Sequence, residues 1–159
     1  MNREIEFRGL DSFGKWWYGN LVVERYYETD IKDLSITKEK LIYKIRSDGF
    51  DVWGYNNFEH KVISNTVSQY ADIKDAKGNK IYEGDVLEHT FTDITTNKIL
   101  STKFLVRFNN GMFGTWYKDV TGEWIEEDRL SNYLIELDKL EVVGNIFDNP
   151  ELISDVEWR

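Results

Sequence analysis

The sequence predicts a mainly β protein, and three observations carry that prediction. Short runs alternate apolar and polar residues at period two. Turn signals rich in Gly, Asn and Asp separate those runs. The runs themselves are dominated by β-branched and aromatic residues, and the 159-residue chain carries 6 Trp, 9 Tyr and 9 Phe. So many rings fill a thin β core. They also suit an interface, where a rigid ring buries a large area at low entropic cost.

Glu4-Ile5-Glu6-Phe7-Arg8 alternates strictly, which predicts a first strand with Ile5 and Phe7 inward. Asp11 to Lys15 is turn chemistry, and Trp16 to Glu24 reads as the strand that pairs back. Both faces of Trp16-Trp17-Tyr18 are aromatic, so at least one ring covers a loop, covers another subunit or lies open. Tyr26 to Lys40 is polar with irregular apolar spacing and reads as a loop with at most a short strand or helical turn. A second hairpin follows, with Leu41 to Ile45 as one strand, a turn at Ser47-Asp48-Gly49, and Phe50 to Tyr55 as the other.

Thr66 to Tyr70 reads as a strand, and Lys74 to Lys80, with Gly78-Asn79, as a solvated turn. Ile81-Tyr82 returns to apolar surroundings, and Gly84-Asp85 permits a bend before a strand over Val86 to Phe91. Asn110-Gly111 lies between the apolar runs Lys103–Phe108 and Met112–Tyr117 and is the strongest hairpin signal in the chain. Another turn at Thr121-Gly122 precedes Trp124-Ile125. Leu130, Tyr133, Leu134 and Leu137 have helical spacing, with Asp128 placed to cap a short helix. A last strand spans Leu140 to Phe147, and Asn149-Pro150 begins a terminal helical turn.

Three segments, REIEFRGLD near the start, SQYADIKDAKGNKIYEGDVL in the middle and LEVVGNIFDNPELI near the end, come in an order that resembles the YopX family of phage and prophage proteins. The resemblance covers most of the chain. Between Tyr18 and Asn65, and between Glu88 and Leu140, only the hydrophobic pattern matches. It implies a mainly β fold whose downstream part is similar to a small SH3-like barrel. Taken with the hairpins and helical spacing above, the expected organisation is N-terminal β hairpins forming an antiparallel sheet over residues 1–70 and an SH3-like barrel region over 71–159 with one or two short helices near the C-terminus, together one compact unit. The strands around Asn110-Gly111 would be central to that barrel. A phage context is implied too, and no catalytic residues are carried over.

Composition narrows the function classes. There is no cysteine, hence neither a disulfide nor a thiolate ligand or nucleophile. No apolar run approaches the ~20 residues of a membrane helix, and the charged start MNREIEFRGL is unlike a secretory signal, so the expected location is the cytosol, that of the host cell for a phage protein. The net charge is −9, of which residues 121–159 hold −8, from three cations against eleven acids. That balance disfavours general binding to phosphate backbones. It serves solubility, or else a basic partner or mimicry of nucleic-acid charge.

Candidate chemistry is sparse. His60 and His89 lie in unrelated segments without metal-ligand spacing, and phosphate loops and nucleophile elbows are missing from the sequence. Asp72, Asp75, Glu83 and Asp85 flank the central turn as a conceivable cation cluster, although turn acids are ordinarily solvated. No catalytic residue, metal site or cofactor is expected. The expected function is a non-enzymatic module that binds a host or phage protein or a second copy of itself, with Trp16, Trp17, Tyr18, Trp116 and Tyr117 as the candidate surface. The alternative is a single-stranded nucleic-acid module. It would use Trp16, Trp17 and Tyr18 beside Lys15 and Arg25, and Phe104 and Phe108 beside Lys103 and Arg107.

Overall fold

The computed structural model describes residues 4–29, 36–50, 56–119, 121–135 and 139–153. The chain is mainly β, with antiparallel pairing throughout, and divides into two compact units, residues 1–69 and 70–159.

In the first unit, β1 (Phe7–Leu10) pairs with the start of β2 (Trp16–Thr29), from Phe7↔Gly19 to Leu10↔Trp16. From Asn20 onward β2 pairs instead with β3 (Ile36–Phe50), up to Thr29↔Ile36. The change of partner falls at Gly19, whose φ of +146° and closeness to the Arg46 carbonyl admit no side chain. β4 (Asn56–Val62) pairs with the inner part of β3, and just beyond it Ile63 N donates to Leu10 O, bringing the chain back to β1. The Thr66 hydroxyl accepts from Leu10 N and donates to Ile63 O, at the 3-10 turn Ser64–Thr66. Among the described residues, Ile45 and Val62 are the buried apolar side chains of this unit.

Several expectations change here. Ile5 precedes β1 and is exposed, whereas Arg8 is buried under Trp16, because strand pairing starts only at Phe7. Tyr26 to Lys40 is no loop: over its described part β2 and β3 run on as a paired ribbon, with Tyr26↔Lys40 and Tyr27↔Glu39 opposite each other. Ser47-Asp48-Gly49 lies within β3, where an irregularity between Ser47 and Phe50 takes up the turn chemistry. The expected strand over Phe50 to Tyr55 falls, past Phe50, outside the described residues.

β5 (Ser68–Lys74) begins by pairing with β1 through Ser68 and Gln69, and in the second unit its remainder pairs with β6 (Lys80–Tyr82). The main sheet there joins β7 (Asp85–Asp93), β8 (Lys98–Asn109), β9 (Met112–Lys118), β10 (Trp124–Arg129) and β11 (Leu140–Asn145) in the order β10-β9-β8-β7-β11. Among the described residues nothing pairs β10 with β11, so this is an open sheet and not a closed barrel. Asn110 and Gly111 take φ of +50° and +83°, as a two-residue type I′ hairpin requires.

The core of this unit holds Ala71, Ile81, Leu87, Val106, Leu130 and Leu140. Each fully buried aliphatic side chain contributes about 1.5–3 kcal/mol. The expected helix is a 3-10 turn, Leu130–Ile135, while Asp128 and Arg129 still belong to β10; Asp128 accepts from Arg129 N and the Asn132 amide. Leu137 lies outside the described residues. Pro150–Ile153 forms the terminal turn, again 3-10.

Candidate functional site

The β1–β2 turn is organised by Asp11. One carboxylate oxygen accepts from Phe13 N (2.8 Å) and Lys15 N (3.0 Å), and the other from Trp17 Nε1 (2.8 Å). Those bonds, that from Lys15 N foremost, hold the Asp11 carboxyl below its ordinary range. They also set Lys15 Nζ 3.7 Å from the Trp17 ring, while His60 stacks on the same ring with centroids 3.2 Å apart and planes at 7°. A cation and a ring at such distances cannot share a face, so Trp17 is sandwiched. Burial lowers the His60 pKa, Lys15 lowers it further and Asp11 opposes.

Of the three predicted rings, Trp17 and Trp16 are half-buried and Tyr18 is exposed. The two indoles serve packing inside the first unit, and replacing them tests stability before it tests binding. Trp17→Ala is expected to cost about 3 kcal/mol, as for other large-to-small aromatic changes, and Tyr18→Ala under about 0.5 kcal/mol, which urea unfolding measures. The same sandwich predicts that His60 titrates below 6.5 by NMR and that Lys15→Gln moves its midpoint upward; an unchanged midpoint would remove Lys15 from the stack.

The β2–β3 ribbon is the largest feature the sequence did not announce, and its faces differ. On one, Lys44 Nζ reaches Glu24 (2.6 Å) and Glu59 (3.1 Å), Arg46 reaches Glu59 (2.6 Å), and the Tyr26 hydroxyl donates to Glu24. These contacts lower the carboxyls of Glu24 and Glu59 and raise Lys44. The other face runs outward from buried Ile45 and Val62 through Leu21, Tyr43, Val23, Leu41 and Tyr27, and on it Val23 is 47%, Leu41 41% and Tyr27 51% exposed. Arg25 and Glu39 form an ion pair there at 2.8 Å.

In the second unit Trp116 and Tyr117 are adjacent in β9, so their side chains leave opposite faces of the sheet and do not form one surface. On the Trp116 face the register brings up residues that sequence reading did not link to it. The Arg107 guanidinium lies 4.1 Å from the Trp124 ring and 5.7 Å from that of Trp116, with Lys118 Nζ 5.3 Å from Trp124. Burial lowers the Arg107 pKa, with Glu83 opposing. Trp116 Nε1 is buried without a hydrogen-bond partner among the described residues. Phe104, proposed as a stacking ring, is buried opposite Leu87 and beside Tyr133, and Phe108 packs on Phe113 at 5.0 Å.

The four central acids do not converge. Asp75 accepts from Lys77 N, Asn79 N, the Asn79 amide and Val142 N. Asp85 accepts from Tyr82 N, and Glu83 from Phe108 N. Among the described residues no three His, Asp or Glu side chains gather as metal ligands, and no helix is long and apolar enough to cross a membrane.

Antiparallel sheets in two units, aspartate-capped turns and a ribbon with one apolar face define the architecture. The chain belongs to the YopX family, described as YopX protein, whose family model matches residues 6–154. Among solved structures it is similar to protein EF1440 from Enterococcus faecalis, at 19% identity and a TM-score of 0.49, over 96% of this chain and 99% of that one. No curated protein matches the sequence.

Proposed function

We propose that this protein is a non-enzymatic binding module, a phage or prophage accessory factor working in the host cytosol, whose ribbon face receives another protein surface. The observation that carries the reading is the two-faced β2–β3 ribbon, with an ion-paired side and a partly apolar side extending from the core into solvent. Apolar surface held out in this way is stabilised by covering it. The open five-stranded sheet of the second unit is read as SH3-like, in keeping with the family.

Placing the photo-crosslinker p-benzoylphenylalanine at Tyr27 tests this. Protein adducts in host lysate or in the purified protein are expected well above those from the same label at Ile94, a 98% exposed residue in the β7–β8 turn. Equal adduct yields from the two positions would end the reading.

A second reading, single-stranded nucleic acid, is favoured by the Arg107–Trp124–Lys118 stack. It requires salt-sensitive quenching of Trp fluorescence by oligonucleotides that Arg107→Gln abolishes.

A further inference from the structure

We propose that the occupant of the ribbon face is the same face of a second copy of this chain, in a two-fold contact; this rests on the reading of the ribbon as a protein-binding surface. The face is neither uniformly apolar nor of one sign. Val23 and Tyr43 lie opposite each other at its inner end, Arg25 and Leu41 in the middle, and Tyr27 and Glu39 further out. Arg25 Nε bonds Glu39 Oε1 across the strands at 2.8 Å, and the pair stays exposed, with side chains 60% and 47% accessible. The Tyr27 hydroxyl and the Glu39 carboxylate raise the Arg25 pKa.

One cation and one anion among apolar neighbours are complementary to their own image. A two-fold axis between facing ribbons sets each Arg25 against the partner copy's Glu39, and Leu41 and Tyr27, on the other diagonal, beside their own equivalents. No other surface has to be assumed. The net charge of −9 repels copies of this chain in general, but residues 121–159 hold −8 of it, and the proposed face itself carries one cation and one acid, Arg25 and Glu39.

Size sets the strength. Five positions along each of the two strands make a face of about 17 by 10 Å, or roughly 170 Å². That is well below the ~800 Å² per partner of a stable interface, so the contact is weak and shows only at high protein concentration.

Sedimentation velocity on the full chain from about 5 to about 500 µM decides the matter. The weight-average mass is expected to rise from 18.9 kDa toward twice that value. Leu41→Glu, at an exposed position, is expected to hold the protein at the monomer mass with an unchanged melting temperature. Arg25→Glu alone is expected to weaken association about tenfold or more. Mixing the Arg25→Glu protein with the Glu39→Arg protein is expected to restore it, since each chain then offers two like charges to the opposite charges of its partner; a merely structural Arg25 would show no such rescue, because neither chain regains the pair within itself. A wild type that stays monomeric throughout, or a dimer indifferent to Leu41→Glu, overturns the proposal. If the wild type is monomeric while Tyr27 still crosslinks a different protein, the ribbon remains a binding face and only the assignment of its occupant fails.

Discussion

Gly19→Ala is expected to leave the first unit unable to close. A Cβ built at this position lies 2.1 Å from the Arg46 carbonyl oxygen and 2.9 Å from its carbon, well inside any tolerated contact, and the obstacle is backbone. The φ of +146° adds strain of its own for an L side chain. Relief requires β2 to part from β3 where it changes partner, so the cost is about 4 kcal/mol or more, the range reserved for a few specific defects. Gly14→Ala is the matched control. Its φ is also positive, at +81°, but nothing lies within 4 Å of a Cβ there, and only the backbone cost of about 1 kcal/mol is expected. Thermal unfolding followed by circular dichroism compares the two, and near-equal melting temperatures would mean that Gly19 is not the hinge described.

Asp75→Ala is expected to cost the second unit about 3 kcal/mol, because the carboxylate is buried and its loss strands three backbone N–H groups, those of Lys77, Asn79 and Val142. Val142 lies in β11, so the carboxylate ties the β5–β6 turn to that strand, a link reinforced by Ala76 N donating to Leu140 O. The nearby Lys77–Glu141 ion pair is exposed and adds little. Burial pushes the Asp75 carboxyl up, but the bonds from Val142 and Asn79 outweigh it and the net shift is downward from 3.8.

Asp11, Asp93 and Asp119 are lowered in the same direction by their own turn bonds, from Lys15 N, the Thr96 hydroxyl and the Thr121 hydroxyl respectively. A carboxyl whose pKa is lower in the fold than in the unfolded chain contributes its full stabilisation above the unfolded value. That contribution drains away as pH falls through the folded value. His60, depressed below 6.5, obeys the same sign in a higher window: the fold loses stability as pH drops below 6.5 and the ring must take a proton. Urea midpoints are therefore expected to decline gently below pH 6.5 and steeply below about 4. Asp75→Asn should flatten the steep limb, and if that limb keeps its slope then Asp75 is not among the groups that protonate on acid unfolding.

Much of the fold was legible because its signals are local. Asn110-Gly111, Lys74 to Lys80 and the Asp11 turn each need only their own few residues to accept positive φ or to bond a backbone N–H two residues on. The ribbon was not legible. Its outer half buries neither face, so Tyr26 to Lys40 lacks the alternation by which a half-buried strand is recognised, and cross-strand ion pairs hold it instead. Leu130, Leu134 and Leu137 have helical spacing, yet Leu130 serves a sheet core at the start of a six-residue 3-10 turn. The candidate surface divided in the same way: aromatic character was visible, but which ring faces solvent depended on partners such as His60 and Arg107 that are far away in sequence.

The sequence by itself determined that this is a β protein of the YopX family, where its tight turns fall, and that its charge gathers toward the C-terminus, since these follow from local backbone preference, residue pattern and composition. Only the tertiary structure decided that β2 changes partner at Gly19, that Trp17 is held between Lys15 and His60, and that Val23, Leu41 and Tyr27 share an exposed face. Each of those depends on cross-strand register, and register is set by contacts between residues tens of positions apart, which a pattern read along one strand does not contain.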